Sequence, residues 1–228
     1  SCNDFFYEVG YRLSRNNGVY DSDTGLEKLA YYADQFGLSD KSGVEISESA
    51  PKVSDFDAIR SAIGQGTNNY STVGLARYVT TVANSGNCYN LSLLSKATDA
   101  DGNLIADYTP TLRNTVDLKQ STWDAIHQGM RKVVEDKDYY KDLTIQVAGK
   151  TGTAQENRKR ANHALFVCYA PYEQPQIAIA TRIALGYASD YAAQVTKDIV
   201  KYYFKLEDES SLITGTAEST NVVQSAGD

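Results

Sequence analysis

The chain is poor in the residues that most often carry chemistry. Its 228 residues hold three cysteines, two histidines, one tryptophan and one methionine. Cys2, Cys88 and Cys168 are too few and too unevenly spaced for a disulfide framework or a zinc site. Their odd number leaves at least one thiol free, which says little about compartment. Cys168 sits in an apolar run and is expected to be buried. His127 and His163 read as helix-face or surface residues rather than as general bases. Positive charge is also short. The net charge of −7 argues against a broad nucleic-acid or anionic-membrane surface, and the one basic run, Arg158-Lys159-Arg160, reads as a solvated loop. There is no run of about 18 apolar residues to span a bilayer and no signal-peptide pattern. Nothing in the pattern implies a metal or a cofactor. Only tyrosine is in excess, at seventeen, and tyrosine alone names no chemistry.

What is present is an ordinary globular composition, 42% hydrophobic, in a length that suits one domain or one and a half. Over residues 4–14, Phe5, Phe6, Val9 and Leu13 share one helical face, which puts Ser1-Cys2-Asn3 at a helix N-terminus. Thr24 and Glu27 form a capping-box pattern, Leu26, Leu29, Ala30, Ala33 and Phe36 continue the helix, and Gly37 closes it. Residues 38–70 read mainly as loop. A helix is expected from about Thr72 to Ser85, closed by Gly86, and Asp101-Gly102 marks a hairpin within a turn-rich stretch over 87–116. Ser121 is placed to cap a helix with Trp123, Ile126, Met130, Val133 and Val134 on one face. Three strand-like runs follow, Thr144–Gly149, Ala164–Tyr169 and Ile177–Ile183, the last two as an antiparallel hairpin. A last helix, about Ser189 to Phe204, is expected to turn Ala192, Val195, Ile199 and Tyr202 inward. Beyond Leu206 the periodicity stops, and residues 207–228 read as a disordered tail.

Two short motifs remain. Lys150-Thr151-Gly152-Thr153 follows a β-like run, and a strand end with a lysine, two hydroxyls and a glycine suits the binding of a carboxylate beside an extended substrate. Gly152 would let another backbone approach closely. The same four residues also make an ordinary edge strand. Ser1 and Asn3 bring a hydroxyl and an amide just before a helix, where they serve either as an N-cap or as a proton relay and an amide-orienting group. Local pattern accommodates both.

The order of the motifs is more specific than any one of them. Ser1-Cys2-Asn3-Asp4-Phe5-Phe6-Tyr7-Glu8-Val9-Gly10, Gly64-Gln65-Gly66, Trp123-x-x-Ile126-x-x-Gly129-Met130, Ala148-Gly149-Lys150-Thr151-Gly152-Thr153-Ala154-Gln155 and Phe166-x-x-Tyr169-Ala170-Pro171 resemble, in sequence order, a class B, high-molecular-weight penicillin-binding protein. The resemblance runs from Ser1 to about Phe204. It implies an α/β fold of the α+β type, the serine β-lactamase/penicillin-binding transpeptidase fold, with an antiparallel sheet, helices on both faces and part of an all-helical lobe. Residues 1–206 would then be an incomplete transpeptidase domain holding the last three strands, without the first strands and the nucleophile helix.

The activity implied is D,D-transpeptidation of peptidoglycan stem peptides ending in D-Ala-D-Ala, through an acyl-serine that β-lactams also form. By the same resemblance Ser1 relays a proton, Asn3 bonds the substrate amide, and Lys150 sets the local potential. Thr151, Gly152 and Thr153 line the substrate site, with the Thr153 N–H as half of an oxyanion hole. The family's Ser-x-x-Lys nucleophile stands upstream of Ser-x-Asn, so none is expected in this chain, and the chain alone is expected to be inactive. An anchoring helix of the intact protein would be absent too, the domain lying on the extracytoplasmic face of the membrane. The Ile177–Ile183 strand is expected to carry an open edge that pairs with another copy or with the upstream segment; other wall-synthesis proteins are further possible partners. A serine β-lactamase, a β-lactam sensor and an inactive scaffold are the competing readings.

Overall fold

The computed structural model describes residues 2–213. In chain order its elements are α1 (Asn3–Leu13), β1 (Arg15–Asn16), β2 (Val19–Tyr20), α2 (Ser22–Gln35), α3 (Ala58–Ser61), α4 (Thr72–Ala83), β3 (Asn87–Asn90), β4 (Lys96–Thr98), β5 (Leu104–Asp107), β6 (Thr111–Thr115), α5 (Gln120–Glu135), β7 (Ala148–Ala154), β8 (His163–Ala170), β9 (Ile177–Ile183), α6 (Ser189–Tyr203) and α7 (Glu209–Leu212). A single 3-10 turn, Asp138–Tyr140, follows α5.

The middle layer is an antiparallel sheet in the order β7-β8-β9. Its registers run from Ala148 opposite Tyr169 to Ala154 opposite His163, and from Ala164 opposite Ile183 to Ala170 opposite Ile177. Strand β8 is apolar at nearly every position because both its faces are covered. Ala164, Phe166, Cys168 and Ala170 pack with Ala192, Ala193 and Val200 of α6. Tyr169 turns the other way, onto Val79, Val82 and Ala83 of α4 and Met130 of α5. Helix α5 thus feeds both sides, since Val134 joins the α6 cluster. Helix on sheet on helix buries both faces of β8 and one face of each covering helix.

Beside this sandwich lies a helical lobe of α1, α2 and α3. A buried arginine joins the two parts. Arg77 of α4 donates to the carbonyls of Gly37, Asp40 and Lys41 and pairs with the Asp40 carboxylate at 2.6 Å. Arg113 of β6 reaches Asp34 and the same Asp40. A guanidinium with this many acceptors is satisfied although it is buried, so the junction is held at a defined geometry.

Several local expectations shift. Helix α2 is capped by Asp21, whose carboxylate accepts from Asp23 N–H and the Thr24 hydroxyl, rather than by Thr24 itself. Helix α5 begins after Lys119 without a side-chain cap, so Ser121 sits inside the first turn. Strand β7 starts at Ala148 and runs through the Lys-Thr-Gly motif, where the sequence places the strand before it. Pairing with β8 decides this, since the seven residues from Ala148 to Ala154 have partners there. Helix α6 turns Ala192, Ala193, Thr196 and Val200 inward and leaves Val195, Ile199 and Tyr202 exposed. The small alanines let the helix approach the sheet, and the Thr196 hydroxyl finds Thr181 of β9 at 2.7 Å, so a polar residue is buried in place of larger apolar ones. The β4–β5 hairpin forms around Asp101-Gly102 as expected. Helix α7 stands within the stretch read as a tail, and residues 214–228 lie outside the described residues.

Candidate active site

Strand β7 brings Lys150, Thr151, Gly152 and Thr153 together. Lys150 and Gly152 lie opposite Val167 and Leu165, while Thr151 and Thr153 lie opposite Phe166 and Ala164, so the lysine and the threonines leave the strand on opposite faces. Among the described residues β7 pairs only with β8, and its second edge is open. That edge leaves unpaired main-chain donors and acceptors along the motif, ready for an extended ligand.

Two glycines of the strand differ in what they answer to. A Cβ at Gly149 would come within 2.4 Å of Phe166 Cζ and 2.9 Å of the Val167 carbonyl, so the packing of β7 on β8 excludes a side chain there. A Cβ at Gly152 would meet Leu165 Cβ at 3.4 Å, an ordinary contact. The fold itself does not require glycine at 152, which points to something outside the fold that approaches this backbone.

Lys150 has one side-chain hydrogen bond among the described residues, donated by Nζ to the Thr151 carbonyl at 2.7 Å. Desolvation by the surrounding protein holds its ammonium below the ordinary lysine range, although the residue keeps solvent contact. An ammonium that is partly stripped of water, with no carboxylate as partner, is suited to receive an anion.

Ser1 lies outside the described residues. Asn3 is the first residue of α1; the cap is Cys2, in extended backbone, without a side-chain cap bond. Helix α1 packs on α2 and α3, whereas β7 packs on β8, α5 and α6. The strand motif is therefore assembled, but among the described residues no hydrogen bond joins Asn3 to it. One Ser-x-x-Lys spacing does occur, Ser49 to Lys52, downstream of the first motif. It falls in non-helical backbone, where residues three apart do not share a face, and Lys52 pairs with Asp55 at 3.0 Å. It carries none of the geometry of a serine activated by a lysine.

His127 bonds the Val82 carbonyl at 2.9 Å through Nε2, as a helix-face residue would. His163 is less peripheral than its sequence suggests, for it contacts Glu156 and Leu185 at the Thr153 end of β7. Only the tertiary register puts it there. Two grooves, of about 760 Å³ beside Tyr11, Tyr20 and Phe56 and about 580 Å³ beside Asp124, His127 and Glu173, do not include the motif. Among the described residues no helix is long and apolar enough to cross a membrane, and no cluster of three or more His, Cys, Asp or Glu is placed to hold a metal ion.

An antiparallel sheet between helical layers, with Lys-Thr-Gly along its edge strand, is the architecture of the penicillin-recognising transpeptidase class. The chain belongs to the penicillin binding protein transpeptidase domain family, whose model matches residues 1–201. It is 27% identical over 210 residues to penicillin-binding protein 2B of Streptococcus pneumoniae, covering 82% of this chain and 31% of that protein. It is 27% identical over 241 residues to the peptidoglycan D,D-transpeptidase MrdA of Haemophilus influenzae, covering 89% of this chain and 35% of that protein. The solved structure of penicillin-binding protein 2B from Streptococcus pneumoniae strain R6 has the same fold, with a TM-score of 0.77 at 24% identity over 90% of this chain and 38% of that one. The chain spans about a third of the length of the curated relatives it matches.

Proposed function

We propose that this chain forms the substrate-binding wall of a peptidoglycan D,D-transpeptidase that also binds β-lactams, working on the extracytoplasmic face of the membrane. The observation that carries the reading is the open edge of β7, which presents Lys150, two threonines and a glycine the fold does not need. In the reaction a serine attacks the penultimate D-Ala carbonyl, D-Ala leaves, and an amine of a second stem peptide resolves the acyl-serine. The ligand lies along β7, its carboxylate held by the Thr151 and Thr153 hydroxyls in the field of Lys150. The Thr153 N–H supports the developing oxyanion. Asn3 orients the ligand amide and Ser1 passes a proton toward the leaving nitrogen. The attacking serine is none of the residues assigned here.

Labelling with a fluorescent penicillin tests this reading. The 228 residues alone are expected to form no covalent adduct. Co-expressed with the Ser-x-x-Lys polypeptide of the same protein, they support labelling of that polypeptide, and Lys150→Ala abolishes it. A labelled band at 25.0 kDa would mean that a serine within these residues is the nucleophile and would overturn the division of roles.

A further inference from the structure

His163 opens β8, directly opposite Ala154 of β7. Between them the chain passes through an exposed loop that contains Arg158-Lys159-Arg160, and among the described residues none of these three cations is ion-paired. The imidazole reaches in two directions. Its Nε2 lies 3.0 Å from Oε2 of Glu156, in that loop. Its Nδ1 accepts from Leu185 N–H at 3.1 Å, in the turn from β9 to α6, and lies 3.3 Å from Nη2 of Arg182. An amide N–H and a guanidinium only donate. Nδ1 is therefore the unprotonated nitrogen, and Nε2–H donates to the Glu156 carboxylate.

Both segments joined by the ring need such support. Leu185 and Tyr187 hold left-handed backbone, with φ of 54° and 64°, which a leucine and a tyrosine adopt only where their surroundings enforce it. A bond from Tyr187 N–H to the Asn162 carbonyl, 3.0 Å, is a second link between the same two segments. The His163 side chain is 13% exposed, so water competes little for these bonds.

We propose that His163 is a positioning residue for the substrate strand: it clamps the loop 155–162 to the β9–α6 turn and so holds Arg158-Lys159-Arg160 at the Thr153 end of β7, where the cations draw in the anionic end of the ligand. This rests on the reading of β7 as the carboxylate-binding strand. The loop leaves β7 at residue 155, two residues past Thr153, so its placement decides whether three cations face the ligand or turn to bulk solvent. Their attraction acts over about a Debye length, ~8 Å at physiological salt, so a free loop would lose most of it.

Two measurements test the clamp and its purpose separately. The first is limited trypsinolysis of the full-length protein, which reads loop opening at Arg158, Lys159 and Arg160. His163→Ala is expected to raise cleavage there about tenfold, with cleavage elsewhere unchanged. Glu156→Gln raises it less, and His163→Gln, whose amide reaches the Glu156 side, restores part of the protection. Should His163→Ala fail to fold, Glu156→Gln at an exposed position decides alone. Unchanged cleavage overturns the clamp. The second measurement is the acylation rate constant of the full-length protein with an anionic penicillin. His163→Ala is expected to lower it about tenfold and to flatten its salt dependence, while the final extent of labelling is preserved. Faster cleavage with an unaltered acylation rate would make the clamp merely structural and overturn the positioning role. If the wild-type full-length protein is not acylated at all, the transpeptidase reading itself fails, and the proposed positioning role falls with it.

Discussion

At the residue scale, a single methyl group distinguishes a glycine the fold requires from one it does not. Gly149→Ala drives a Cβ into the Phe166 ring and is expected to cost about 1–3 kcal/mol, the range for overpacking a filled core. Gly152→Ala meets only ordinary contacts, so denaturant unfolding should place it within about 0.5 kcal/mol of wild type, the usual range for a substitution away from a core, while penicillin labelling of the assembled site drops at least tenfold. Equal destabilisation by the two would remove the argument that Gly152 serves a ligand. Lys150 follows the same logic. Its lowered pKa means that the ammonium is held at a cost. Lys150→Met is therefore expected to leave the melting temperature equal or higher while labelling is lost. The sign is that of a depressed cation: the cost is present while Lys150 is protonated in both states. It fades as pH rises from the lowered folded value toward about 10.4, the unfolded one. Wild type should thus gain stability relative to Lys150→Met across that alkaline window. The motif was legible in the sequence. Gly149 was not, because its reason is a phenylalanine seventeen residues away on another strand.

At the scale of elements, the type of each long segment was readable and its orientation was not. Helix α6 has an apolar stripe through Val195, Ile199 and Tyr202, yet the fold buries the neighbouring face of Ala192, Ala193, Thr196 and Val200. Periodicity shows that a stripe exists, whereas contact with β8 selects which stripe is used. The start of α6 is held by Asp190, which accepts from Lys137 at 2.5 Å and from the Tyr139 hydroxyl at 2.6 Å. These bonds hold its carboxyl below the usual range, Lys137 being the larger cause. A depressed carboxyl contributes stability that is present above its unfolded pKa and lost as pH falls through its folded one. Asp190→Asn is accordingly expected to cost roughly 0.5–1 kcal/mol at pH 7, a modest figure because the carboxylate is half exposed. The difference should begin to shrink near pH 4, about the unfolded carboxyl value, and vanish only below the lowered folded one, when urea unfolding is followed downward from pH 7. A loss that is the same at pH 3 would assign the effect to packing.

At the scale of the whole molecule, surface is left over. Several large apolar side chains lie on the exposed surface of the described residues. Phe5 and Leu13 of α1, Val195 and Tyr202 of α6 and the open edge of β9 all contribute to it. The expected outcome is concentration-dependent association of the isolated chain, seen by light scattering as a mass above 25.0 kDa. A monomer at all concentrations with a cooperative melt would show that this surface is tolerated.

The amino-acid sequence by itself determined the family motifs and their order, the helical or extended character of the long segments, the hairpin at Asp101-Gly102 and the anion-binding chemistry available in β7. Those properties rest on turn chemistry, periodicity and side-chain type, all of which act within a few residues. Only the tertiary structure decided that the motif lies inside an open edge strand, that Gly149 is required and Gly152 is not, which face of α6 is buried, and that His163 joins two loops beside the site. Each of these depends on atoms brought together from distant parts of the chain, and no local pattern records which residues will meet.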